Sequence, residues 1–122
     1  MWQSAGTDYV EGVVKLSYID IAKIDQIPAG TMKSFTVNGK DVLVTNIDGK
    51  LYAIGGKCTH LGGDLSKGKL EGKIVTCPRH GSQFDVTTGK SLRGPKILFQ
   101  FSTRDEPVYE VKIEGNSVQI QI

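Results

Sequence analysis

The sequence predicts an all-β fold, a sandwich or partly open barrel of short antiparallel strands. Three observations carry this. Apolar and polar residues alternate at period two along the C-terminal runs, turn pairs of the Asn-Gly and Asp-Gly type recur between apolar segments, and no amphipathic helix longer than two turns can be placed.

Taken in order, residues 13–19 form the first candidate strand. Residues 20–30 read as a connector ending in Pro28-Ala29-Gly30. Residues 32–37 and 41–47 flank Asn38-Gly39, a hairpin signal because both residue types tolerate positive φ. Asp48-Gly49 repeats the signal before a strand at 51–54. Short strands follow at 73–76 and 82–86, the second closed by the turn 87–90. Residues 97–101 read as a strand. Tyr109, Val111 and Ile113 then alternate with Glu110 and Lys112, and Val118, Ile120 and Ile122 alternate with Gln119 and Gln121, around a turn at Glu114-Gly115-Asn116. Such alternation marks half-buried strands, roughly eight to ten in all.

The chain has 122 residues, and its 39% apolar content supports one modest core. Residues 13–122 are expected to form a single domain after a flexible lead-in over 1–12. A net charge of +2 is too small to argue for nucleic acid or an anionic membrane as partner. No apolar run reaches the length of a membrane span, and residues 1–9 lack the basic start and apolar stretch of an export signal. A cytoplasmic protein is expected. No nucleophile-and-base pair, phosphate loop or dinucleotide fingerprint is present, so no enzyme chemistry is legible.

The chemistry lies in one window. The protein has two cysteines and two histidines, and all four fall between Cys58 and His80. A disulfide scaffold would carry more cysteine and would not gather histidine beside it. The surrounding stretch 55–72 holds six glycines, so it is expected to wrap as a loop rather than run as a strand interior. The pattern is Cys58-Thr59-His60-Leu61-Gly62-Gly63, then Cys77-Pro78-Arg79-His80-Gly81-Ser82, that is, C-x-H followed by C-x-x-H. Each short motif pairs a soft thiolate with an imidazole. A tetrahedral zinc site could use the same four ligands, but zinc motifs usually pair cysteine with cysteine and histidine with histidine.

This motif, with Phe84-Asp85 and Thr88-Gly89 downstream, resembles the signature of the Rieske iron–sulfur family. The resemblance is strong over the two loops, within 55–95, and looser over the flanking strands. It implies a [2Fe–2S] cluster with Cys58 and Cys77 on an inner iron and His60 and His80 on an outer one. Two neutral imidazoles in place of two thiolates leave the cluster less negative. The class accordingly spans roughly −150 to +300 mV, against about −400 mV for all-cysteine plant-type clusters. Ferric iron favours loss of the free imidazole proton, so the potential is expected to fall as pH rises through the histidine pKa values.

The sequence departs from the high-potential branch of that family in two places. That branch has a loop-stapling disulfide where this chain has Gly63 and Arg79. It also uses a serine and a tyrosine hydroxyl as donors to the cluster sulfurs. Ser82 matches the serine, while Phe84 replaces the tyrosine. One lost donor implies a low to intermediate potential. The alternatives are a Ser82 that only caps a turn and a Phe84 that is plain core.

Pro95 lies where the family places a third loop covering the cluster, and an ordinary turn is the alternative. Leu61 is either an exposed docking contact or an inward anchor. Lys57, Lys67, Lys69 and Arg79, with Asp64 as the nearby acid, either steer an acidic partner or form a solvated surface. The resemblance implies a ferredoxin that carries one electron from a reductase to an oxygenase or other acceptor. Two other readings are a small redox subunit of a nitrite-reductase-like or arsenite-oxidase-like assembly, and a zinc-stabilised interaction module.

Overall fold

The computed structural model describes residues 8–10, 13–15, 17–59, 62–79, 81–93 and 104–122. Thirteen short strands are present among them: β1 (Asp8–Val10), β2 (Val13–Lys15), β3 (Tyr18–Lys23), β4 (Met32–Val37), β5 (Lys40–Ile47), β6 (Lys50–Gly55), β7 (Lys69–Glu71), β8 (Ile74–Thr76), β9 (Gln83–Asp85), β10 (Ser91–Arg93), β11 (Val108–Tyr109), β12 (Val111–Glu114) and β13 (Ser117–Gln121). The helical content of the described residues is two single turns of 3-10 helix, Ile24–Gln26 and Leu65–Lys67.

Every strand pairing is antiparallel. A central sheet runs β11-β6-β5-β4, a second runs β12-β13-β3, a third runs β10-β9-β8-β7, and β1 and β2 form a separate hairpin. The sheets stack rather than close, so the all-β expectation holds as a layered sandwich and not as a barrel.

The central sheet is covered on both faces. Val42 and Val44 of β5 pack with Val118 and Ile120 of β13, while Leu43 between them packs with Val75 of β8 and Phe84 of β9. Their cross-strand partners on β6 agree, since Val44 faces Ala53 and Leu43 faces Ile54. Side chains alternate across a strand, so one strand feeds two cores. Residues 42–46 are all buried, including Thr45 and Asn46, because neither face of β5 meets water.

Several sequence expectations need correction. The run 13–19 is divided between β2 and β3, and β3 extends to Lys23, inside the expected connector. The run 109–113 is also divided: Tyr109 belongs to the central sheet and Val111 to the β12-β13-β3 sheet. The glycine-rich stretch 55–72 is not all loop. It contains the 3-10 turn and β7, because Lys69, Leu70 and Glu71 carry enough side chain to pair with β8 between flanking Gly68 and Gly72. β1 and β10 have no counterpart among the expected strands, and β1 lies within the expected lead-in. The expected strand at 97–101 lies outside the described residues.

Candidate metal centre

The two cysteines stand at the bases of two loops that fold alike. In the first, the Gly62 amide donates to the Cys58 carbonyl at 3.0 Å and the Cys58 amide donates to the Gly63 carbonyl at 2.7 Å. In the second, the Gly81 amide donates to the Cys77 carbonyl at 3.2 Å and the Cys77 amide donates to the Ser82 carbonyl at 2.8 Å. The bonds therefore repeat at the same offsets, four and five residues after each cysteine. Closing so tight a loop needs left-handed backbone at the fourth residue, and Gly62 (φ 67°) and Gly81 (φ 83°) supply it.

The loops face one another. A Cβ placed on Gly63 of the first would lie 2.6 Å from Cys77 Sγ of the second and 3.2 Å from Arg79 Cγ. Glycine at 63 is thus required by the approach of the sulfur. The positions that the resemblance matched to a disulfide, 63 and 79, are neighbours in space, with the Arg79 stem lying over the glycine. No covalent staple joins the loops; neither Cys58 nor Cys77 is in a disulfide.

Each cysteine is 3% exposed and packs in the second core with Leu43, Ile54, Leu65, Val75, Phe84 and Val86. Two thiols presented from facing loops, with apolar walls behind them, are a donor set for a soft metal group. Their burial fits ligands of the inner metal of a two-metal cluster. Ser82, whose carbonyl accepts from the Cys77 amide, is 1% exposed, and Phe84 is fully buried in the core that contains both cysteines. His60, Leu61, His80 and Pro95 lie outside the described residues.

The polar surroundings are mixed. Lys57, Lys67, Lys69 and Arg79 are exposed. Lys69 pairs with Glu71 at 3.7 Å. Asp64 accepts hydrogen bonds from the Ser66 hydroxyl at 2.7 Å and the Ser66 amide at 3.0 Å. The Ser66 hydroxyl, helped by the amide and by the charges of Lys57 and Lys67, outweighs burial and holds that carboxyl below its usual range. Behind the second loop, Arg93 Nη2 donates to the Gly81 carbonyl at 3.2 Å, tying β10 to it.

One contact had no sequence signal. Residues 104–107 run behind the first loop, where the Thr59 hydroxyl donates to the Arg104 carbonyl at 2.6 Å and Glu106 is 5% exposed. Arg104-Asp105-Glu106-Pro107 reads in sequence as a polar turn, so nothing marks its third residue as buried.

A model of the Rieske [2Fe-2S] domain matches residues 17–101, which contain both loops. The chain belongs to the Rieske [2Fe–2S] domain family. It is 39% identical, over 87% of its own length and 96% of the relative's, to the ferredoxin component of the naphthalene 1,2-dioxygenase/salicylate 5-hydroxylase systems of a Ralstonia species. Among solved structures it is similar to the ferredoxin of carbazole 1,9a-dioxygenase from Nocardioides aromaticivorans, with TM-score 0.71, 27% identity, and coverage of 85% of this chain and 96% of that one. It is also similar to a chain in the complex of reduced oxygenase and oxidized ferredoxin of carbazole 1,9a-dioxygenase, with TM-score 0.74, 26% identity, and coverage of 85% and 92%. The cofactor of a Rieske domain is a [2Fe–2S] cluster, which supplies a one-electron couple when bound. The paired loops, buried thiols and sulfur-lined glycine described above fit that group.

Proposed function

We propose that this Rieske protein is a ferredoxin, a one-electron carrier from a reductase to the terminal oxygenase of an aromatic-ring dioxygenase system, and not itself an enzyme. Residues 13–122 work as one carrier unit. Cys58 and Cys77 hold the buried iron and His60 and His80 hold the outer one. The observation that carries this is the pair of matching loops, each with a buried cysteine at its base, in a chain that nearly spans the length of a dioxygenase ferredoxin component. We place the protein in the cytoplasm.

The chain's own residues serve that role by position. The Cys58 and Cys77 amides are already bonded within their loops, so the loops keep their shape as charge at the metal changes. The apolar layer of Leu43, Ile54, Val75 and Phe84 keeps water away from the sulfur side, leaving electron exchange to the loop side.

Electron paramagnetic resonance of the dithionite-reduced protein tests the assignment. A rhombic spectrum with low average g, lost in Cys58→Ser and in His80→Ala, is expected. One zinc and no acid-labile sulfide per chain would overturn it. Reoxidation of the reduced protein by an aromatic-ring oxygenase component, without added mediator, tests the carrier role.

A further inference from the structure

Glu106 sits where a carboxylate is not expected. It is 5% exposed, and among the described residues its Oε2 has no hydrogen-bond partner. An unmet acceptor of that kind is unfavourable, so its retention asks for a reason.

The segment around it is held on three sides. The Glu106 amide donates to the Gly89 carbonyl at 2.7 Å, beyond β9. The Pro107 carbonyl accepts from the Gly55 amide at 2.9 Å, at the end of β6. The Arg104 carbonyl accepts from the Thr59 hydroxyl at 2.6 Å, in the first cluster loop. The fit is close: a Cβ on Gly55 would strike Glu106 Oε1, and one on Gly89 would strike the Glu106 carbonyl. The Thr59 backbone N–H also faces the carboxylate, partly offsetting the burial that pushes the carboxyl up to about 7. Thr59 is thus clasped twice by one segment, through its hydroxyl and through its amide. It stands between Cys58 and His60.

We infer that Glu106 is a positioning residue of the cluster: it fixes the first loop through Thr59, and its buried negative charge behind that loop lowers the reduction potential. The inference rests on Cys58 and His60 being ligands. A carboxylate in a protein environment is weakly screened, so it opposes the electron that reduction adds. Burial, and after it the Glu106 carboxylate, pushes the nearby Tyr109 hydroxyl up.

The experiment separates acceptor from charge. Glu106→Gln keeps a carbonyl acceptor and removes the charge, while Glu106→Ala removes both. Holoproteins are compared at pH 8.5 by protein-film voltammetry and by the rate of iron release to a chelator. For Glu106→Gln, the reduced-to-oxidised ratio at fixed potential should rise about tenfold, equivalent to about 59 mV for one electron. Its iron release should stay within about twofold of wild type, because the acceptor is conserved. For Glu106→Ala, release should quicken about tenfold, as expected when the loop loses its tether. An unchanged potential in Glu106→Gln overturns the charge effect, and unchanged release in Glu106→Ala overturns the clasp. Should Glu106→Ala fail to fold, Glu106→Met replaces it. That variant keeps the side-chain volume and removes both acceptor and charge, so release should quicken about as much as in Glu106→Ala; unchanged release overturns the clasp. A wild-type protein with no rhombic resonance sinks the ligand assignment itself, whereas a normal resonance with an inert Glu106→Gln sinks only this inference.

Discussion

At the scale of single residues, the neighbours of the two sulfurs decide how tightly an added electron is held. Ser82 supplies its carbonyl to the Cys77 amide, and that bond survives replacement of its side chain. Ser82→Ala therefore removes one hydroxyl without opening the loop. If the hydroxyl donates toward the cluster, its loss makes the reduced, more negative state less stable, and the potential falls. Phe84→Tyr adds a hydroxyl within the core that contains both cysteines and, if that hydroxyl donates toward the cluster, should raise it. Phe84 is fully buried among Val75, Leu65 and Val86, so the added atom also crowds the core. A stability loss of about 1–3 kcal/mol should accompany the rise. Voltammetry giving the same potential for both variants as for wild type would reduce Ser82 and Phe84 to packing. Ser82 and Phe84 were marked in the sequence by their positions five and seven residues after Cys77. Glu106 was not, because its burial comes from chain segments 17 and 51 residues away, at Gly89 and Gly55.

At the scale of elements, the second loop depends on β8 and β9, and those depend on the turn after β9. Asp85 organises that turn: its Oδ1 accepts from the Thr87 amide at 2.8 Å and the Thr87 hydroxyl at 2.6 Å, and its Oδ2 lies 3.3 Å from Lys73 Nζ. Burial alone would push this carboxyl up, but the Thr87 donors and the Lys73 ammonium together outweigh it and hold it below its usual range. A lowered folded-state pKa means that the ionised form stabilises the fold. That contribution is complete above the unfolded value near 3.8 and is lost as pH falls through the lower folded value. Asp85→Asn should thus be less stable than wild type at neutral pH, and the gap should close in acid. Chemical denaturation followed by circular dichroism at pH 7 and pH 3 measures it; a constant gap would assign the loss to geometry rather than charge. The turn itself was visible in Thr87-Thr88-Gly89-Lys90. So were the hairpins at Asn38-Gly39 and Asp48-Gly49, where both members of each pair have positive φ. β7 and β10 were hidden for the opposite reason. Each is three residues with a single apolar side chain between polar ones and no apolar neighbour to extend the pattern, and partners in the sheet, not local preference, make them strands.

At the scale of the molecule, β5 and β6 separate two cores with different dependence on metal. The first core, built on Val42, Val44, Ala53, Val118 and Ile120, includes no cysteine. The second includes both Cys58 and Cys77, neither of them in a disulfide. If Cys58 and Cys77 hold the cluster, taking it away leaves two thiols that protonate and pack as small apolar groups, and it removes a tie between the loops beyond hydrogen bonds and packing. The loss should reach β8 and β9 directly, and β5 and β6 only through Leu43 and Ile54, whose strand neighbours stay anchored on the opposite face. Iron removal is therefore expected to open the cluster sheet while the central sheet and β13 remain folded. Hydrogen exchange of the metal-free protein reads this by element: amide protection in β8 and β9 should drop by more than about tenfold, with β5 and β13 changing far less. An even loss across all four strands would mean that the two cores unfold as one unit, and that the shared strands transmit the metal's contribution through the whole sandwich instead of confining it to one side.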